Sequence, residues 1–225
     1  MVTRQFEGKQ QASDYQKFRF DPSQEIIDLI FSYVDERFPK LSEFAVDAGC
    51  GTGQNTRVLA PYFKKVLGID ISEAQIEEAK KATRSPNVTY RVCPAEEVPV
   101  GDTSVDLLTA SIAAHWFTIE KFLKEVDRIL KPGGCLAIFT YLPSMEVHYK
   151  DCSEQMTQVF AEVGDSLVPY EHEKIYHLKN GCKEMYESIP YPDKRRFLRL
   201  MGTSSSETEV EVWLQNVLIL ASKPQ

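Results

Sequence analysis

Phe44-Ala45-Val46-Asp47-Ala48-Gly49-Cys50-Gly51-Thr52-Gly53 is the stretch that decides the fold. Its apolar start makes a short buried strand, and Asp47 stands at the carboxyl end. Glycines at 49, 51 and 53 then leave bare backbone before a helix begins at about Gln54. A strand, a glycine loop and a helix start together form a cradle for a nucleotide-like ligand outside a strand end. A dinucleotide loop, G-x-G-x-x-G, needs glycine at position 54, where this chain has Gln54. The spacing here is D-x-G-x-G-x-G.

Working outward, Val66-Leu67-Gly68-Ile69-Asp70 is a second apolar run ending in an acid. A carboxylate at that strand tip can accept both hydroxyls of a ribose. Ser72 with Gln75 forms a capping box that opens a helix over about 73–83. Strands follow at 88–92 and 105–110, then a helix over about 119–130 capped by Thr118. The turn Lys131-Pro132-Gly133-Gly134 ends that helix, and a strand follows at 135–140. On the amino side, Ile26, Ile27, Ile30, Phe31 and Val34 recur at helical spacing, whereas residues 1–20 are polar with scattered aromatics and no period. Strands alternating with helices at this spacing predict a parallel sheet with right-handed crossovers. After 141 the pattern changes to a helical stretch (about 150–163) and a Tyr- and Lys-rich segment, read as a lid. The runs 210–214 and 217–221, separated by Gln215-Asn216, are expected to pair as an antiparallel hairpin.

The bulk properties narrow the class. A chain of 225 residues suffices for one α/β domain and is short for two. A formal net charge of -7 argues against a broad phosphate-binding face and so against nucleic acid as partner. Lys194-Arg195-Arg196 reads as a solvated turn. The five cysteines (50, 93, 135, 152 and 182) form no C-x-x-C pair, which suggests a reducing compartment. His148, His172 and His177, with Glu171 and Glu173, are spaced too irregularly to predict a metal site. No apolar run approaches membrane-spanning length, so a cytoplasmic protein is expected, with a monomer favoured.

The D-x-G-x-G-x-G loop resembles the first motif of class I S-adenosylmethionine-dependent methyltransferases. Cys93-Pro94-Ala95-Glu96-Glu97-Val98-Pro99 is similar to the family loop that reads D-A-E-x-L-P or S-A-E-x-L-P. Ala95 and Glu96 match it, and Pro94 replaces its polar residue. Leu130-Lys131-Pro132-Gly133-Gly134 resembles the L-K-P-G-G turn frequent before the family's fifth strand. These motifs cover about 40–140 in order. His115-Trp116, with the Tyr15-Gln16-Lys17-Phe18-Arg19 segment, resembles more narrowly the trans-aconitate methyltransferase-like group, which acts on small molecules including carboxylic acids.

The resemblance implies a Rossmann-like, seven-stranded, mostly parallel sheet with an antiparallel C-terminal hairpin and helices on both faces. It divides the chain into an arm and helix covering the cofactor site (1–38), a cofactor-binding core (39–141), a lid or substrate insertion (142–206) and the closing hairpin (207–225). The stretch at about 182–206 is short for the family. S-adenosylmethionine is the implied cofactor and S-adenosylhomocysteine its product. Asp47, Gly49, Gly51, Gly53, Asp70, Ile71, Ala95, Glu96 and Ser111 are the implied cofactor contacts. Tyr15, Arg19, His115 and Trp116 would face a small-molecule acceptor. A carboxylate acceptor needs no base; an alcohol or phenol does, and His115 is the candidate catalytic residue. Two other readings stay open. One is a catalytically silent S-adenosylmethionine-binding regulatory module. The other is methylation of protein or nucleic acid, against which stands Ala113-Ala114-His115-Trp116 in place of the Asn/Asp-Pro-Pro-Tyr/Phe motif. An oxidoreductase is disfavoured by Gln54.

Overall fold

Strands covered on both faces need unbroken apolar runs, and the centre of this sheet is built from them. The computed structural model describes residues 6–19, 21–37, 42–204 and 211–225. Seven strands, β1 (Ser42–Ala48), β2 (Phe63–Asp70), β3 (Val88–Val92), β4 (Val105–Ser111), β5 (Leu130–His148), β6 (Lys194–Ser204) and β7 (Glu211–Ser222), lie in the order β3-β2-β1-β4-β5-β7-β6. β1 to β5 run parallel, and β7 runs antiparallel to both its neighbours. The strand tips at Ala48, Asp70 and Ser111 therefore share one edge.

Side-chain alternation splits the core between the two faces. Val46, Leu108, Leu136 and Ile138 pack with Phe122, Val126 and Ile129 of α5 (Ile119–Ile129) on one face. Ala45, Leu107, Ala137 and Phe139 pack with Ile26, Ile30 and Val34 of α2 (Gln24–Asp35) on the other. The remaining helices are α1 (Lys9–Phe18), α3 (Gln54–Leu59), α4 (Glu73–Ala82), α6 (Ser153–Leu167), α7 (Tyr176–Lys179) and α8 (Lys183–Ser188). Among the described residues no helix is long and apolar enough to cross a membrane.

Three expectations are corrected. The runs at 210–214 and 217–221 do not pair with each other; 211–222 is the single strand β7, with Gln215 opposite Leu200 and Asn216 opposite Arg199. Gln-Asn lacks the glycine that favours a two-residue turn, and staying extended lets β7 form ladders with strands on both sides. The hairpin is β6 with β7, and Val210 lies outside the described residues. Second, Lys194-Arg195-Arg196 is no solvated turn. It starts β6, with Lys194 Nζ donating to the carbonyls of Tyr186, Glu187 and Ile189, Arg195 to Glu36, and Arg196 to the Gly181 carbonyl. Third, the sheet takes residues 142–148 and 194–204 from the expected insertion, so the excursion from the sheet runs over 149–193.

Candidate functional site

The glycine loop folds as it does because side chains are excluded from it. Gly49, Gly51 and Gly53 all have positive φ, at 65°, 53° and 83°. A Cβ on Gly49 would come within 2.4 Å of the Ala113 Cβ, and one on Gly53 within 2.4 Å of the Tyr90 hydroxyl. Asp47 anchors the loop from below. It is 0% exposed and accepts from Asn55 Nδ2 (2.7 Å), Thr56 Oγ1 (2.6 Å) and Thr109 Oγ1 (2.8 Å). Burial raises its pKa, and those three donors oppose the rise. Asp47 therefore braces the loop and does not line the cleft above it; Gly53 does not line it either.

Asp70, at the tip of β2, does. Its two oxygens accept the backbone N–H groups of Gly51 (3.0 Å) and Ser72 (2.8 Å), which fixes the carboxylate beside the loop. Burial raises its pKa against those two donors. Ser72 also caps α4, accepting from the Gln75 N–H at 3.3 Å, but the other half of the expected capping box does not form, because the Ser72 N–H goes to Asp70 and Gln75 Oε1 has no partner. Next along the lining come Cys93, whose N–H donates to the Asp70 carbonyl at 3.0 Å, Ala95 and Glu96, and Glu96 accepts the Thr118 N–H at 2.7 Å. The Thr118 hydroxyl itself makes no cap bond, so Glu96 serves the start of α5 instead. Ser111, Ile112, Ala113, Trp116 and Phe117 complete this wall, with Ile112 held at φ 54° while its N–H donates to the Phe139 carbonyl at 2.8 Å.

The cleft has a cavity volume of about 160 Å³. Three buried polar atoms on residues that border it have no partner in the protein: Gln54 Nε2, Asn55 Oδ1 and Gln75 Oε1. All three side chains are buried around the glycine loop, and buried polar groups are ordinarily paired. The lining is thus short of one donor and two acceptors' worth of partners where the backbone is barest.

At the far end, Arg19 lies between two rings, its guanidinium carbon 5.1 Å from the Tyr15 centroid and 4.9 Å from that of Tyr141. Burial raises both phenol pKa values, and Arg19 opposes the rise. Arg19 is the one Lys or Arg side chain among the described residues of the lining. Tyr15, Arg19 and Trp116 thus meet in the cleft with Gly49, Gly51, Asp70, Ile71, Ala95, Glu96 and Ser111. Tyr141 was missed because the fifth strand was expected to end at 140; a polar aromatic just past a strand tip was the available signal.

His115 does not join them. It is 5% exposed, its Nδ1 has no partner, and it is absent from the cleft wall. Burial first, then the charges of His177, Lys174 and Arg19, push its pKa down to about 4. Its neighbour Trp116 faces the cleft instead, with its carbonyl accepting from Lys174 Nζ and the His172 ring 5.2 Å away. Among the described residues no three His, Cys, Asp or Glu side chains converge as metal ligands.

Residues 46–138 match a family described as a methyltransferase domain. A Dictyostelium discoideum protein that carries a methyltransferase name is 41% identical over 130 residues, covering 58% of this chain and 47% of that protein. A Saccharomyces cerevisiae protein named as an S-adenosylmethionine-dependent methyltransferase is 34% identical over 118 residues, covering 47% and 40%. The chain spans about half the length of these curated relatives. Among solved structures, a protein named as a type II methyltransferase from Anaeromyxobacter dehalogenans superposes with a TM-score of 0.69 at 22% identity, covering 92% of this chain and 100% of that one. Phosphoethanolamine N-methyltransferase 2 of Haemonchus contortus, in complex with phosphomonomethylethanolamine and S-adenosylhomocysteine, gives 0.53 at 17% identity, covering 96% and 58%. Both are likenesses of fold.

Proposed function

We propose that this chain, which carries a class I S-adenosylmethionine-dependent methyltransferase domain, transfers a methyl group to a small-molecule acceptor bearing a carboxylate. The observation that carries the cofactor half is the set of unpartnered atoms on Gln54, Asn55 and Gln75 around the glycine loop, beside Asp70. A zwitterionic amino-acid tail supplies the donors and acceptors those atoms lack, and a ribose suits the remaining lone pairs of Asp70. Cys93, Ala95 and Glu96 would border the adenine. When bound, S-adenosylmethionine supplies a methyl group already activated on a sulfonium.

The chain's own task is then to bind, align and exclude water, which is worth roughly 7–11 kcal/mol in well-oriented reactions. Arg19 would pair with the acceptor's carboxylate, with Tyr15 and Tyr141 holding the guanidinium between their rings and Trp116 and Phe117 walling off solvent. A carboxylate nucleophile is already ionised at neutral pH and needs no base. That fits a cleft with no histidine in its described lining, His115 being buried behind the wall with its pKa lowered to about 4. In this reading His115 supports Trp116, and the base role expected for it falls away.

Calorimetry with S-adenosylhomocysteine and NADH tests the cofactor half, with tight binding of the first and none of the second expected. A labelled-methyl screen over small carboxylic acids, phenols and thiols tests the acceptor; labelling of phenols alone would overturn the carboxylate. A second reading, a silent S-adenosylmethionine-binding module, is favoured by the exclusion of His115 from the cleft. Cofactor binding without methyl consumption across the whole screen would select it.

A further inference from the structure

Glu125 sits on the inward, apolar side of α5 with Phe122, Val126 and Ile129, and is 8% exposed. A carboxylate there is costly unless fully paired. Arg128, one turn on, pairs it in a fork: Nε donates to Oε2 at 2.8 Å and Nη2 to Oε1 at 2.7 Å. The pair then reaches the loop between β3 and β4. Glu125 Oε1 accepts the Val98 N–H at 2.5 Å, Arg128 Nη2 donates to the Val98 carbonyl at 3.0 Å, and Nη1 donates to the Val100 carbonyl at 3.0 Å and to Asp102 at 2.6 Å. The Val98 carbonyl also accepts the Val100 N–H at 2.8 Å, and for the Val98 N–H and the Val100 carbonyl two side chains of one helix do the work of a ladder.

The same loop begins with Cys93, Ala95 and Glu96, which line the cleft, and Glu96 binds the N–H of Thr118 at the opposite end of α5. The loop is thereby pinned twice to one rigid helix, which itself starts just after Trp116 and Phe117. We propose that the Glu125–Arg128 pair is a positioning device that sets cofactor affinity from outside the cleft, by fixing the backbone that continues from its Cys93–Glu96 wall. Neither residue touches the cleft. The inference rests on reading that cleft as the S-adenosylmethionine site.

The test is calorimetric affinity for S-adenosylhomocysteine, read beside the melting temperature, in wild type, Arg128→Met, Arg128→Lys and Asp102→Asn. Tyr191→Phe is the control: it removes a 3.1 Å bond to Asp127 of the same helix without touching the loop. Arg128→Met should weaken binding roughly tenfold, about one charge-assisted contact. Arg128→Lys should recover part of this, because a lysine keeps the charge but cannot reproduce the fork. Tyr191→Phe should leave affinity unchanged whatever it does to melting. If Arg128→Met does not fold, Asp102→Asn, at an exposed partner, should still weaken binding severalfold. Lower melting temperatures with unchanged affinity would overturn the inference alone. A wild type that binds no S-adenosylhomocysteine would overturn the cofactor reading and the inference with it.

Discussion

Asp70 holds two backbone N–H groups before any ligand arrives, so its orientation is set by the fold and only its outer lone pairs are left for a sugar. Asp70→Asn keeps an acceptor for one of those amides but loses the charge. It should weaken S-adenosylhomocysteine binding by about 2 kcal/mol, the scale of a hydrogen bond to a charged group; unchanged affinity in calorimetry would remove Asp70 from the ribose role. His115 makes a different prediction. Its pKa falls from 6.5 to about 4 on folding, so between those values the unfolded chain binds a proton that the native state does not. Stability is therefore highest above pH 6.5 and falls as pH drops towards 4, by on the order of 3 kcal/mol from this group. Urea unfolding at pH 7.5 and pH 4.5 checks it: His115→Leu should lose less stability over that interval than wild type, and equal losses would refute the assignment.

At the scale of elements, the glycine loop separates two kinds of constraint. Gly49→Ala adds a Cβ 2.4 Å from the Ala113 side chain, at a backbone angle L residues rarely adopt. It should displace the 111–117 wall and abolish S-adenosylhomocysteine binding while lowering stability by a few kcal/mol. Gly51→Ala meets nothing nearer than 3.6 Å, so its thermal unfolding should reveal only the backbone penalty, about 1–2 kcal/mol. The loop, β1, β2, β4 and α5 were legible because a continuous apolar run or a clean helical stripe leaves one solution. α1 was not, since Ala12 is its only buried residue and gives no period. β6 was hidden because it is an edge strand dense in Lys and Arg, which is how exposed edges are commonly written and also how loops look. Within the site, Asp70 could be read from its strand tip and Glu96 from its loop motif, whereas Arg19 came only from the resemblance of the 15–19 segment. His115 could not, because adjacency to Trp116 says nothing about which of two consecutive side chains turns into the cleft.

Over the whole molecule, the cleft is roofed in part by α1, whose one buried residue is Ala12 and whose Tyr15 lines it. α1 is tied down by the Ser72 hydroxyl donating to the Phe6 carbonyl at 2.5 Å and by rings of Phe6 near Tyr15 (6.0 Å) and Trp116 (6.3 Å). A ligand beneath it should tighten that roof. Hydrogen exchange of the α1 amides is expected to slow severalfold with S-adenosylhomocysteine, while β1 and β4 barely change; identical α1 exchange with and without the compound would contradict the placement. β7 carries a consequence of another kind. It is the last of the described strands in sequence, yet it lies between β5 and β6, with Ile219 opposite Ile138 on one side and Arg196 on the other. On the ribosome, the apolar flank of β5 must wait bare until residues 211–222 have emerged, so a nascent chain stalled before them would present an open ribbon suited to chaperones or to aggregation.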